Sequence, residues 1–277
     1  MPQVQTMQLV DEAKKNNVGV AAFNVIHIET AEALVSASER AQLPLILQLS
    51  HNCVRYHGSF GPIGHSMLDI ANRADTPVAV HLDHCESDSL AREAIDAGFS
   101  SVMYDGSTKP YTENVEATRR IADYAHSNHV NVEAELGEIG GKRGAHTPGV
   151  RTDPEEGRSF ASDTDVDILA VAVGSEHAMQ KRTAKLDLDL IRRLDSTIPV
   201  PLVLHGSSGV PDEEIRNAIK AGMTKINVST HLNGFFTRAV RAYLDRHPEV
   251  TDSRKYIGAG RDAMSEEAER LLKVIAL

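Results

Sequence analysis

Eight short apolar segments recur along the 277-residue chain, and they constrain its fold more than any other feature. They occupy residues 18–23, 44–49, 77–82, 100–104, 130–136, 168–173, 200–204 and 224–228. Nearly continuous apolar runs of this length are typical of strands that are buried on both faces of a parallel sheet. The sequence therefore predicts eight buried parallel strands.

Amphipathic helical patterns separate these segments. Ser87 starts one such pattern, which runs to residue 97 and is followed by Gly98. Pro211 precedes another, over residues 212–221. A capping serine or a proline at the start and a glycine past the end are the usual signals of helix boundaries. The chain thus alternates strand and helix.

This alternation continues without a linker rich in Pro, Gly or Ser, and the length suits one large α/β barrel. We predict an α/β fold, a single (β/α)8 TIM barrel over residues 1–277. The alternative, a doubly wound open sheet, would have fewer strands and a glycine-rich first turn. Neither a G-x-G-x-x-G nor a G-x-x-x-x-G-K-[ST] motif is present.

The charge balance excludes some partners. The chain carries 39 acidic and 29 basic residues, a net charge of −10, whereas nucleic acids and anionic membranes bind basic surfaces. The 2 cysteines are too few for a disulfide framework, and the amino-terminal segment lacks the apolar core of a signal peptide. We expect a soluble cytoplasmic protein that binds neither nucleic acid nor membrane.

Nearly every apolar segment ends on a polar residue or is followed by one. These polar residues are Asn24, Ser50, Asp83 with His84, Asp105, Glu135, His177, His205 and Asn227. In a parallel barrel the carboxyl ends of the strands meet on one face, where active sites lie. One polar residue at the start of a loop is ordinary, but this succession predicts a functional face.

Three histidines on that face, His84, His177 and His205, predict a metal site. Three imidazoles from separate strands leave a coordination position open, as in catalytic zinc sites, although cobalt, nickel and iron also accept imidazole. The alternative is three histidines with separate structural roles. Strand alternation also places His84 on the opposite face from Asp83, unless the strand turns before it.

The neighbouring carboxylates have two interpretations each. Asp83 is a candidate acid/base beside a metal-bound substrate, or else a helix cap or a partner that orients a histidine. Asp105 and Glu135 are candidates to orient the histidines or to hold a second metal position, and each could equally form a structural ion pair.

A candidate phosphate site follows the seventh and eighth strands. Gly206, Ser207 and Ser208 precede a helix, where backbone N–H groups can hold an anion. Asn227, Ser229 and Thr230 offer polar groups in the next loop. Such a glycine-serine loop is often only a turn, but phosphate sites recur at this position in barrels.

Several motifs together resemble one family across essentially the whole chain. They are AFNVIHIET (22–30), HLDH (81–84), MYDGS (103–107), EAELGEIGG (133–141), AVAVGSEHA (170–178), PLVLHGSSGVPDE (201–213), TKINVST (224–230) and DSRKYIGAGRDAM (252–264). This set resembles the class II, metal-dependent ketose-bisphosphate aldolases. The chain length and TKINVST look closer to the shorter tagatose/fructose-bisphosphate branch.

The resemblance implies a lyase of carbohydrate metabolism (glycolysis) that cleaves a phosphorylated sugar into dihydroxyacetone phosphate and glyceraldehyde 3-phosphate, as a homodimer or homotetramer. It implies that the three histidines bind Zn²⁺ and that Asp83 is the proton donor and acceptor at the C4 oxygen. It also implies that Asp105 and Glu135 can bind a second divalent cation or a monovalent cation. The phosphate would be held by Ala178, Gly206, Ser208, Asn227 and Thr230, while Asn24 and Ser50 would line the substrate.

The sequence departs from the family at three points, one of which is Glu176, which precedes His177 where a small residue is common. Ala178 replaces the usual glycine, and the loop 142–147 is cationic where the family often has glutamates. Glu138 or His146 is left as the base of that loop, or else the substrate differs. The alternatives are therefore another phosphorylated ketose, a deoxy-sugar phosphate, a metal-dependent hydrolase and a non-catalytic sugar-phosphate binder. A Schiff base on Lys225 would be the metal-free route.

Overall fold

Eight parallel strands close into a barrel, each hydrogen-bonded to the next and the eighth to the first. The computed structural model describes residues 3–136, 150–176, 179 and 181–276. The strands are β1 (Val20–Asn24), β2 (Leu45–Ser50), β3 (Val78–Cys85), β4 (Ser101–Tyr104), β5 (Asn131–Glu135), β6 (Ile168–Ala170), β7 (Leu202–Leu204) and β8 (Met223–Val228). The predicted (β/α)8 barrel is confirmed.

Helices surround the barrel, and α1 precedes it. They are α1 (Thr6–Lys15), α2 (Ile28–Ala41), α3 (His51–His57), α4 (Gly61–Arg73), α5 (Asp88–Ala97), α6 (Tyr111–Ser127), α7 (Pro154–Thr164), α8 (Leu188–Thr197), α9 (Asp212–Ala221), α10 (Thr230–Arg246) and α11 (Ser253–Ile275). No helix in the described part of the chain combines the length and the apolar character needed to cross a membrane.

The predicted helix signals set the observed boundaries. The Ser87 hydroxyl accepts a hydrogen bond from the Leu90 backbone N–H at the start of α5, and Gly98 ends that helix at a φ of +97°. α9 begins directly after Pro211 and ends before Gly222, whose φ is +130°. The local sequence therefore encodes where these helices begin and end.

Strand β6 is shorter than the predicted run over 168–173 and ends at Ala170. The following residues stay buried, but the backbone of Ala172 and Val173 pairs with loops instead of strands. Thr152 bonds both the carbonyl and the N–H of Ala172, and the Asp187 N–H donates to the Val173 carbonyl. An apolar run predicts that residues are buried, and residues 171–173 are buried although they lie outside the strand.

The barrel interior contains two kinds of side chain. Towards the amino ends of the strands lies an apolar layer, the lower interior, formed by Val20, Ala22, Ile46, Ala79, Ile168, Ala170 and Val203. α1 packs Leu9, Val10 and Ala13 into the same cluster. The inward positions beyond this layer, towards the carboxyl ends, are polar, and they build the candidate site.

Candidate active site and metal centre

Three of the predicted residues converge at the carboxyl ends of β3 and β7. Asp83, His84 and His205 each offer a ligand atom, and these atoms lie within 4.8 Å of one another. A second group, His84, Asp105 and Glu135, meets the same criterion. The rings of His84 and His205 stand edge to face with their centroids 4.6 Å apart. The barrel thus brings together residues that lie far apart in the sequence.

A turn of the backbone brings His84 into this group. Its φ is +49°, in the left-handed region, and the pairing of β3 with β4 shifts register between Leu82 and Cys85. Left-handed conformations are uncommon for residues other than glycine and concentrate at functional sites. Because of this irregularity, Asp83 and His84 both reach the site although they are consecutive in a strand.

Asp105 holds the ring of His84. The Nδ1 atom of His84 donates to Oδ2 of Asp105 over 2.8 Å, while Oδ1 of Asp105 accepts from the Ser107 hydroxyl over 2.6 Å. Glu135 lies further off, with Oε2 3.9 Å from Nδ1 of His84 and 3.7 Å from Nδ1 of His205. The geometry of Asp105 is that of a carboxylate that orients an imidazole.

Asp83 is buried and carries a negative charge. Oδ2 accepts from Nδ2 of Asn24 over 2.8 Å, and Oδ1 has no hydrogen-bond partner among the described residues. Burial raises the pKa of a carboxyl, but electrostatic interactions with the imidazoles of His84 and His205 and with the ammonium group of Lys225 outweigh it and hold the pKa of Asp83 well below its usual range. Asp83 is therefore an ionised base at neutral pH.

His205 lies at the end of β7 with no exposed surface. Its Nε2 atom donates to Oε1 of Glu133 over 2.8 Å. Burial lowers the pKa of His205 to about 4, against the opposing effect of the hydrogen bond to Glu133. The imidazole is therefore neutral near neutral pH, which is the form that binds a metal.

The loop after β7 approaches the backbone of Glu176 closely. Gly206 has a φ of +67°, and a Cβ atom there would lie 2.7 Å from the Glu176 carbonyl carbon. The Ser207 hydroxyl donates to the Leu204 carbonyl over 3.0 Å. Only glycine fits position 206, because a side chain would be strained and would clash.

The Ser208 hydroxyl links this loop to the start of α10. It accepts hydrogen bonds from the backbone N–H groups of Ser229 and His231, over 3.2 and 3.1 Å. Thr230 is the first residue of α10, and Asn227 is buried at the end of β8. The predicted residues Ser208, Asn227, Ser229 and Thr230 therefore lie in one region, where Ser208 links the two loops.

Ser50 and Asn24 also lie beside Asp83. Ser50 is paired in register with Asp83 across β2 and β3, and its hydroxyl caps α3 by accepting from the Cys53 N–H over 3.2 Å. The remaining predictions, for His177, Ala178, Glu138, His146 and the loop 142–147, concern positions outside the described residues.

Part of the polar interior was not predicted from the sequence. Gln48, His81, Glu133 and Lys225 are all completely buried, and Gln48 and Glu133 were not singled out at all. Each lies two residues before a predicted strand-end residue, at the next inward position of the same strand. The two-residue period of strands is the signal that could have found them.

Comparisons with known proteins find related sequences along nearly the whole chain. The family model of "Fructose-bisphosphate aldolase class-II" matches residues 4–276. A fructose-bisphosphate aldolase of Geobacillus stearothermophilus is 39% identical over 268 residues, covering 95% of this chain and 93% of that protein. One from Staphylococcus aureus (strain Mu50) is 37% identical over 277 residues, covering 99% and 97%.

A solved structure has the same architecture. The crystal structure of the YdjI aldolase from Escherichia coli K12 superposes with a TM-score of 0.86 at 29% sequence identity. The match covers 99% of this chain and 97% of that one. The similarity therefore includes the barrel and the helices around it.

Proposed function

The chain belongs to the class-II fructose-bisphosphate aldolase family, whose members are lyases, and on that premise we propose that it is a zinc-dependent ketose-bisphosphate aldolase. Its substrate would be fructose or tagatose 1,6-bisphosphate, cleaved reversibly to dihydroxyacetone phosphate and glyceraldehyde 3-phosphate. The observation that carries the proposal is the convergence of Asp83, His84 and His205.

The residues at this site fit a zinc ion. Imidazole nitrogen suits zinc, and each histidine donates its other nitrogen to a carboxylate, His84 to Asp105 and His205 to Glu133. This pairing fixes the ring orientation of metal-binding histidines in many proteins. On this basis we assign Nε2 of His84 and Nδ1 of His205 to the metal, and His177 would be the third ligand. Glu135 is the candidate for a second cation.

Asp83 would move the proton at C4. The negative charge of its carboxylate and the fixed hydrogen bond from Asn24 suit a base that accepts the C4 hydroxyl proton in cleavage and returns it in condensation. When bound, Zn²⁺ supplies Lewis-acid stabilisation of negative charge on the substrate oxygens. Ser50, next to Asp83 in the barrel, would line the substrate.

The phosphate of the substrate would lie at the loops after β7 and β8. We assign it to Gly206, Ser207 and Ser208 together with Asn227, Ser229, Thr230 and Ala178. Because the chain has a net charge of −10, local groups must capture the anion. Asn227, which is buried near the end of β8, would donate to the phosphate through its amide nitrogen.

We also propose the setting of the reaction. The chain would act as one domain over residues 1–277, in the cytoplasm, within glycolysis or a related pathway of carbohydrate metabolism. It would assemble as a homodimer or homotetramer, with a phosphorylated sugar as its small-molecule partner.

A test combines metal analysis with a cleavage screen over ketose mono- and bisphosphates, following triose-phosphate release. We expect bound zinc, cleavage of a ketose bisphosphate, loss of cleavage after chelation and recovery with added zinc. Full cleavage by chelator-treated protein would contradict the zinc mechanism. Cleavage of a different phosphorylated ketose or a deoxy-sugar phosphate alone would correct the substrate. Hydrolysis without triose phosphate, or binding without turnover, would favour the hydrolase or the non-catalytic binder.

A further inference from the structure

A buried lysine lies beneath the proposed site, at the next inward position of β8. The Nζ atom of Lys225 donates to Oε1 of Gln48 over 2.6 Å and to Oε2 of Glu133 over 2.8 Å. All three side chains are completely buried. A buried ammonium group is costly unless it is paired, and here a carboxylate and an amide oxygen surround it. The lysine is therefore a fixed internal cation.

The first path from Lys225 passes through Glu133 and reaches His205. One carboxylate oxygen of Glu133 accepts from Lys225, and the other accepts from Nε2 of His205 over 2.8 Å. Since both oxygens are bound, the carboxylate cannot rotate without breaking one of these bonds. The hydrogen of the neutral imidazole is consequently placed on Nε2. We name this chain of contacts the Glu133 path.

The second path passes through Gln48 and Asn24 and reaches Asp83. Nε2 of Gln48 donates to Oδ1 of Asn24 over 3.3 Å, and Nδ2 of Asn24 donates to Oδ2 of Asp83 over 2.8 Å. Gln48 is in register with Asn24 across β1 and β2, so the strand pairing holds the two amides side by side. We name this chain of contacts the Gln48 path.

Lys225 fixes the direction of every hydrogen bond in the Gln48 path. An ammonium group only donates, so the Gln48 atom that faces it must be the amide oxygen. The amide nitrogen of Gln48 then faces Asn24, which must turn its own oxygen towards Gln48 and its nitrogen towards Asp83. Asp83, as a carboxylate, only accepts, and the order of donors is consistent along the whole path.

We propose that Lys225 is a positioning residue of the aldolase site, orienting His205 through Glu133 and Asp83 through Gln48 and Asn24. The inference rests on the proposed function, because the two groups that Lys225 positions are the zinc ligand His205 and the base Asp83 of that function. Lys225 acts through other side chains and does not touch the substrate. Its engaged, buried amino group has no part in Schiff-base chemistry.

The test compares Lys225→Met with one variant of each path, Glu133→Gln and Gln48→Leu. Zinc affinity is measured by competition with a chelator, kcat and KM by triose-phosphate release, and folding by circular dichroism. We expect Lys225→Met and Glu133→Gln to lower zinc affinity by about 10–100-fold, the usual effect of losing a group that orients a ligand. Gln48→Leu should keep the zinc affinity and lower kcat by up to about 100-fold, with KM little changed.

Two further variants separate positioning from a purely structural role. Lys225→Met combined with Glu133→Gln removes both charges of the Lys225–Glu133 ion pair. Because both changes break the same path, the zinc affinity of the double variant should match that of whichever single variant binds zinc more weakly. Lys220→Met alters an exposed lysine at the end of α9 and should leave zinc affinity and kcat unchanged.

Wild-type zinc affinity in folded Lys225→Met would overturn the Glu133 path. If that variant does not fold, wild-type affinity in the double variant overturns it instead. An unchanged kcat in Gln48→Leu would overturn the Gln48 path. A wild-type protein that binds zinc but cleaves no ketose phosphate refutes the proposed function alone, because the affinity series still tests Lys225. A wild-type protein that binds no zinc overturns both.

Discussion

The interior of the barrel changes character between the amino ends and the carboxyl ends of the same eight strands. In the lower interior, residues such as Ala22, Ile46 and Ala79 form an apolar cluster against α1. The inward positions above them form the upper interior, which consists of Asn24, Gln48, His81, Asp83, Glu133, Glu135, His205, Lys225 and Asn227. The two layers are both buried, so burial alone does not distinguish them.

The difference lies in how each layer is stabilised. The lower interior gains free energy from removing apolar surface from water. The upper interior loses free energy when its polar groups are buried, and recovers it only through specific hydrogen bonds and ion pairs, such as that of Lys225 with Glu133. We therefore expect substitutions in the upper interior to affect mainly zinc binding and cleavage. Substitutions in the lower interior should affect mainly the free energy of unfolding.

The largest expected effect is that of His205→Ala in the upper interior. Removing one proposed ligand should abolish both zinc binding and cleavage, and it also takes away the hydrogen bond to Glu133. Zinc per chain after gel filtration and triose-phosphate release measure the two effects. His247→Ala, at an exposed histidine beyond α10, is the matched control and should behave as wild type. Retained zinc and cleavage in His205→Ala would remove His205 from the metal site.

Asp83→Asn should have the next largest effect. Asparagine has the size of aspartate but cannot accept the C4 proton, so we expect cleavage to fall by about 10²–10⁴-fold, the usual contribution of a general base. Zinc should be retained, because His84 and His205 remain. Zinc content and kcat, measured on one preparation, check this. Loss of zinc would instead make Asp83 a metal ligand, a role that its position beside both histidines also allows.

Much of this architecture could be predicted from the sequence, because its signals are local. Apolar runs and helix caps gave the strands and helices, and strand ends gave Asp83 and His205. The position of His84 could not be predicted from alternation, since a φ of +49° and a register shift turn it towards the site.

Glu133 and Gln48 were missed for a different reason. Both lie inside the strands, whereas the predicted site residues lie at the strand ends. Their partner is Lys225, from the last strand of the barrel, and Lys225 lies 92 and 177 residues away from them along the chain. Alternation predicts that such residues point inward, but only the closed barrel shows that they meet.

In the lower interior, Ile46→Ala should lower stability and spare the chemistry. Ile46 is completely buried and is paired in register with Ala22 and Ala79, two small residues that cannot fill the space left behind. We expect the free energy of unfolding to fall by about 2–5 kcal/mol, measured by urea denaturation. Cleavage per folded molecule should stay at the wild-type value. A large fall in kcat at unchanged stability would show that the two layers are not separate in function.

One set of hydrogen bonds crosses from α1 into the upper interior. The Thr6 hydroxyl lies 2.6 Å from the Ser101 hydroxyl, which lies 2.7 Å from Nδ1 of His81. Burial and the charge of Lys225 lower the pKa of His81 to about 3, so its imidazole is neutral near neutral pH. Nε2 of His81 lies 3.7 Å from Oε2 of Glu133. α1 is thus linked to the polar network under the site.

Thr6→Val tests whether this link matters for the chemistry. Valine keeps the shape of threonine and removes the hydroxyl, while Ser101 keeps His81 as a partner. We therefore expect the smallest effect, a loss of about 1 kcal/mol in the free energy of unfolding, with zinc affinity and kcat unchanged. Urea denaturation and the chelator competition measure both on the same protein. If zinc affinity falls instead, α1 helps to orient Glu133 through His81, and the division of the interior into a stabilising layer and a chemical layer fails at this contact.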